Sequence, residues 1–221
     1  MATMPGREKQ LARAVASLIN QVDKIRVVCN NMSQPPECLG HPKIEPIVGL
    51  PDMTDNGKFY ALDNLKGREY YFTVDDDIIY PRDYVARTIR NIQKYHSIIT
   101  YHGRRLRAPG VEYYKGHDFF HCAHGNDIAQ FIDVCGTGVT AFDTAMFKPE
   151  GLAGSEFQRM SDVIFSHAAA NANRTIVLGV KRGGWIEPQH VTESIFNTES
   201  KTKQTKHIQL CNEIIKLKLR H

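Results

Sequence analysis

No apolar run in the chain approaches the roughly 20 residues that a helix needs to cross a bilayer. The N-terminus also lacks the charged-then-apolar pattern of a secretory leader. The expectation is a soluble, cytoplasmic protein, with peripheral membrane association still open. Cysteine pairing is missing too: Cys29, Cys38, Cys122, Cys135 and Cys211 are odd in number and include no C-x-x-C. That argues against a disulfide framework or a zinc site and for reduced thiols. Strong charge of either sign is lacking, since Lys and Arg outnumber Asp and Glu by only four. Such a balance suits a phosphate-bearing small ligand, or solubility alone, and leaves no nucleic-acid footprint. Internal repeats and low-complexity tracts are also lacking, and the 221 residues are enough for one domain with a sizeable core.

What is present is an alternation of helical and extended patterns. Residues 8–20 carry Leu11, Val15, Leu18 and Ile19 on one helical face after the break at Pro5 and Gly6. A short apolar strand, "KIRVVCNN", follows, and then a Pro- and Gly-rich loop over residues 32–46. "PIVGL" and "REYYFTV" read as further strands, residues 81–95 as a helix with Pro in its first turn, and "SIITYHG" as another strand. Residues 103–128 are aromatic and His-rich without a clear period. "IDVCGTGVTAFDT" predicts two strands bent at Gly136 and Gly138, followed by a helix over 161–173, a strand "TIVLGV" and a helix near the end, "IQLCNEIIKLKL". This order predicts an α/β layer with a mostly parallel, buried sheet, whose ligands sit at the carboxyl ends of strands.

One stretch, "EYYFTVDDDIIYPRDY", runs an apolar strand directly into three carboxylates. Alternation along a strand allows Asp75 and Asp77 to point to one side, about 6 to 7 Å apart, with Asp76 opposite. Like charges beside a core raise each other's pKa, and a divalent cation removes that cost. Hard oxygen donors select Mg²⁺ or Mn²⁺. The competing reading is a solvated turn with an aspartate capping the next helix.

The same stretch resembles the DxD region of GT-A fold glycosyltransferases that use nucleotide sugars. The resemblance extends over most of the chain. "ATMPGREKQLARAVASLINQVDKIRVVCNN" is similar to their first strand, turn, helix and second strand, and "TDNGKFYAL" to a Gly-containing segment near the donor base. "DVCGTGVTAFDTAMF" resembles their sugar-side strand pair, and "MSDVIFSHAAANAN" their acidic position before an acceptor-facing helix. The resemblance implies a single GT-A type, Rossmann-like domain over 1–221. Its nucleotide-binding half would be 1–100, its sugar and acceptor half 101–200, and residues 201–221 a tail or helix; a larger parent protein remains open. It also implies transfer of a sugar, of the hexosyl type, from a nucleotide diphosphate donor, most simply a UDP-sugar, to a glycan or glycoprotein acceptor.

In that frame Asp75 and Asp77 hold Mn²⁺ or Mg²⁺, with His190 as a third ligand and His102 and His167 as rivals. Thr3, Met4, Pro5, Arg7, Asn30, Asn31, Asp55, Asn56, Gly57, Lys58 and Asp76 surround the nucleotide, with Gly57 permitting close approach or positive φ. His102, Arg104, Gly136, Thr137, Gly138 and Trp185 are the sugar and acceptor residues. Trp185 is expected either as an aromatic platform on a mobile lid or as a loop anchor. Arg104, Arg105 and Arg107 are expected as an anion clamp or as a solvated charge run. Asp162 is the expected base, against the reading that it caps the helix after it. Two other functions compete. A metal-dependent phosphohydrolase or nucleotidyltransferase needs the same carboxylates, and a non-catalytic carbohydrate-binding module needs no metal.

Overall fold

The computed structural model describes residues 1–190 and 205–219. The expected tail over 201–221 therefore lies partly outside the described residues. Strands β1 (Ala2–Thr3), β2 (Ile25–Cys29) and β3 (Ile44–Ile47) form a small parallel sheet in the order β1-β2-β3. Between β1 and β2 runs helix α1 (Glu8–Leu18), which buries Leu11, Ala14, Val15 and Leu18, the three-and-four spacing of one helical face. Strands β4 (Tyr70–Val74), β5 (Ile78–Ile79), β6 (Ile98–Thr100), β7 (Gly103–Arg105) and β8 (Asp118–Phe120) follow. Helix α2 (Tyr84–Tyr95) connects β5 to β6 and stops at His96, which takes a left-handed conformation with φ of 48°. The remaining strands are β9 (Gln130–Ile132), β10 (Val134–Cys135), β11 (Val139–Asp143), β12 (Ile176–Leu178) and β13 (Glu187–Pro188), with α3 (Ser161–Asn171) before β12. The helix Thr205–Lys218 is the last described element.

The largest sheet has the order β4-β11-β6-β12-β9, and its neighbours are antiparallel except β6 and β12. The mostly parallel sheet is thus corrected to a mixed arrangement, with parallel pairing concentrated in β1-β2-β3. The reason is physical: a strand buried on both faces is a continuous apolar run whichever way it points, so composition carries no direction. The two strands expected over 132–144 are β10 and β11, with β9 ending just ahead of them at Ile132, and the aperiodic 103–128 segment contributes β7 and β8 to a sheet ordered β10-β7-β8.

Two apolar layers flank the five-stranded sheet. Ile99, Ala141 and Val177 pack with α1 and α2 side chains, whereas their chain neighbours Ile98, Phe142 and Ile176 pack with α3 and the helix Thr205–Lys218. This two-residue alternation makes the fold a helix-sheet-helix sandwich. No helix among the described residues is long and apolar enough to cross a membrane.

Candidate active site

The acidic stretch lies where β4 ends, beside the end of β1 and the turn before β11. Asp75 is fixed through its backbone: its N–H donates to the Tyr80 hydroxyl oxygen at 2.9 Å, and Tyr80 O–H donates to the Gly138 carbonyl at 2.7 Å. Its carboxylate lies against Gly138, where an added Cβ would meet Asp75 Oδ2 at 2.1 Å. The missing side chain at 138 is therefore what makes room for the acid. Asp75 Oδ1 is ion-paired with Lys58, whose side chain is only 4% exposed while that of Asp75 is 37% exposed.

Asp76 points toward the first turn, accepting from Thr3 Oγ1 at 2.7 Å and from Arg7 Nη1 at 3.4 Å. Asp77 accepts from the same Arg7 Nη1 at 3.1 Å. Asp75 Oδ2 and Asp77 Oδ1 carry no hydrogen bond among the described residues. Two hard oxygen atoms thus remain beside two that already meet Lys58 and Arg7, and such oxygens are the ligand type that Mg²⁺ or Mn²⁺ takes. Desolvation, and then the charges of Asp75 and Asp76, push Asp77 up to about 6. Desolvation likewise raises Asp76, against the Thr3 hydrogen bond and the Arg7 charge. Desolvation alone would lower the Lys58 ammonium, but Asp75 and Asp55 outweigh it and hold the pKa above the ordinary lysine value.

Lys58 links this rim to the first turn of α3. Its Nζ donates to Thr137 Oγ1 at 3.3 Å, and both the N–H and the hydroxyl of Thr137 lie 2.7 Å from Asp162 Oδ1 as donors. Asp162 stands in the first turn of α3, yet its carboxylate serves Thr137 instead of capping its own helix. The carboxylate that meets the Ser161 N–H, at 3.1 Å, belongs to Asp55. Desolvation raises Asp162, opposed by the Thr137 N–H. Asp162 Oδ2 has no hydrogen-bond partner among the described residues.

The residues expected around the nucleotide divide into two groups. Thr3 and Arg7 reach the acidic stretch, whereas Met4 and Pro5 are exposed in the turn. Asn30 is occupied by the backbone of 53 and 54, donating to Thr54 O at 2.9 Å and accepting from Met53 N at 3.0 Å. Asn31, with φ of 58°, donates to Asp52 Oδ2. Residues 54–59 form a 3₁₀ turn. Gly57 does not have positive φ; it serves close approach, since a Cβ there would meet Val28 Cγ1 at 3.0 Å and Ala2 Cβ at 3.3 Å. Asn56 is fully buried and donates to Phe157 O at 3.1 Å.

Several expected roles change. Trp185 is no open platform: it is buried against Tyr84 and Tyr101, donates its indole N–H to Asp83 at 2.9 Å and lies under Arg87. It anchors its loop, because a lone indole beside an aromatic core gains more from burial than from display. Arg104 is also buried, stacked on Tyr113 and Phe119 with its guanidinium 4.3 and 4.6 Å from the ring centres. Arg105 donates to Gln130 and Arg107 to Asp118, so the three arginines form no common clamp. His167 lies 3.0 Å from Glu213, between α3 and the helix Thr205–Lys218, away from the acidic stretch.

His190 is brought to the acidic stretch. β13 pairs antiparallel with β5, and Gln189 N–H donates to Asp77 O at 2.7 Å, so residue 190 follows directly beside Asp77. Its ligand atom is not gathered with Asp75 and Asp77 within 4.8 Å; the one set of three so gathered among the described residues is His102, His121 and Cys122. The half-buried His102 ring lies over Gly136, where a Cβ would meet its Cδ2 at 2.4 Å. Desolvation, then Arg104 and His121, push it down to about 3. Sequence reasoning missed Tyr80, His121 and Cys122; only the spacing of Tyr80 five residues after Asp75 lay within local reach.

No protein-family model and no curated protein matches the chain.

Proposed function

We propose that the chain is a metal-dependent glycosyltransferase of GT-A type, moving a sugar from a nucleoside diphosphate donor, UDP in the simplest case, to a carbohydrate acceptor. One observation carries this reading. A single connected path of ion pairs and hydrogen bonds runs from Asp75 through Lys58 and Thr137 to Asp162. It joins a carboxylate rim suited to a diphosphate-bound cation to a second carboxylate suited to deprotonating a hydroxyl.

Asp75 and Asp77 would hold Mn²⁺ or Mg²⁺ through hard carboxylate oxygens. Such a cation, when bound, stabilises the charge that grows on the departing diphosphate. Thr3, Arg7 and Asp76 form the donor side of the rim, and Lys58 supplies a second, fixed positive charge there. Thr137 clamps Oδ1 of Asp162 with two hydrogen bonds, which leaves Oδ2 free to take the acceptor proton, as an inverting transfer requires. Gly138 leaves room for the Asp75 carboxylate, and Gly136 leaves room for the His102 ring.

The test is product analysis after incubation with UDP-sugars and Mn²⁺. The reading predicts free nucleoside diphosphate, with the rate falling at least a hundredfold in Asp162→Asn. Release of phosphate or pyrophosphate would instead favour a phosphohydrolase or nucleotidyltransferase.

A further inference from the structure

We propose that His102, His121 and Cys122 form a binding site for a soft divalent transition metal, Zn²⁺ being the ion that best matches these donors. The absence of a C-x-x-C pair argues against zinc in the sequence, but here the fold assembles the donors. β7 and β8 pair antiparallel with Gly103 opposite Phe120, so His102 and His121 are the next cross-strand neighbours, and Cys122 follows. One nitrogen from each ring and the Cys122 thiol sulfur lie within 4.8 Å of one another.

Zinc bound at ordinary lengths holds its nitrogen and sulfur ligands roughly 3.3–3.8 Å apart. Closure therefore asks for a movement of about 1 Å, which rotation of the half-buried His102 and His121 side chains supplies. The surroundings already hold the group together. The His102 ring meets Phe119 and His121 edge-on at 5.1 and 5.4 Å. Buried Lys181 donates to the His121 carbonyl at 3.3 Å and also to that of His124, and Gly184 N–H donates to Ala123 O at 2.8 Å. Among the described residues neither ring is tied to a carboxylate: Nδ1 of each accepts a long backbone hydrogen bond, 3.3 Å from Cys122 N–H and 3.2 Å from Ala123 N–H.

Two imidazoles and a thiolate are a borderline-soft set, unlike the oxygen donors of the aspartate rim, so the two sites select different ions. Binding replaces the S–H bond of Cys122 by a metal–sulfur bond and releases one proton to solvent. Three protein ligands leave a fourth position, which we assign to water; His124 is exposed, with its ring centre 5.2 Å from that of His121. The metal staples the 121–124 turn to the β6–β7 corner, next to Gly136.

Chelator-stripped protein titrated with Co²⁺ in the absence of any nucleotide tests this independently of the transferase reading. The expected result is one equivalent bound, with a near-ultraviolet thiolate-to-cobalt charge-transfer band that Zn²⁺ displaces. Cys122→Ser abolishes the band and His121→Ala weakens binding at least tenfold, while His124→Ala and the double variant Asp75→Asn, Asp77→Asn retain it. A wild-type protein without the band, or a band that survives Cys122→Ser, overturns the site. Should Cys122→Ser fail to fold, unchanged cobalt affinity in His121→Ala overturns it equally.

Discussion

Lys58 and Asp75 share an ion pair that is asymmetric in exposure: the lysine side chain is 4% exposed and the aspartate 37%. Removing one partner is costly when the charge left behind is buried, and cheap when water can reach it. Asp75→Ala is therefore expected to cost on the order of 3 kcal/mol, because it takes the ion-paired carboxylate away from a buried ammonium. Lys58→Met leaves a solvated carboxylate and should cost less than about 1.5 kcal/mol. Urea unfolding of the two variants checks the order. Equal losses, or the reverse order, would contradict the asymmetry.

Asp162 links stability and activity in opposite directions. Its folded-state pKa is raised, chiefly by desolvation, above the ordinary aspartate value. A carboxyl raised in this way favours the folded state while protonated, and that contribution is lost as pH rises through the folded pKa. Asparagine keeps an oxygen for the Thr137 N–H and hydroxyl but carries no charge. Asp162→Asn should then be at least as stable as wild type at neutral pH, with the advantage disappearing as pH falls into the ordinary carboxylate range. Its transfer rate should nevertheless be at least a hundredfold lower, and the wild-type rate should fall on the acid side with a midpoint above 3.8. Thermal melts and rates across pH measure both.

Gly138 tests whether the Asp75 carboxylate must lie where it does. Alanine would bring its Cβ to 2.1 Å from Asp75 Oδ2, and the side chain of Asp75 is the part free to move. Gly138→Ala is expected to fold, with a loss of stability near 1 kcal/mol, while Mn²⁺ affinity falls tenfold or more. Gly57→Ala, by contrast, presses on Val28 and Ala2 in the core and should act on stability first. Comparing metal affinity with melting temperature in the two variants separates site geometry from packing.

The sequence made the helices legible wherever a single apolar face repeats, as at Leu11, Val15 and Leu18, and it exposed the acidic stretch because three carboxylates after an apolar strand are locally anomalous. It did not carry strand direction, since Phe142 and Ala141 are buried on both faces of β11 and read alike either way. The surroundings of Trp185 and Arg104 were equally hidden, because both depend on partners brought in by the fold. The approach of residue 190 to Asp77 rests on the pairing of β13 with β5, more than a hundred residues apart. The His102, His121 and Cys122 cluster likewise depends on the β7–β8 register, which no local spacing encodes.

Calorimetric titration with UDP, with and without Mn²⁺, on wild type and on the double variant Asp75→Asn, Asp77→Asn tests the central claim most directly. The account predicts UDP binding that strengthens at least tenfold with Mn²⁺ in wild type and loses that dependence in the variant. Metal-independent UDP binding that is equal in the two proteins would contradict it.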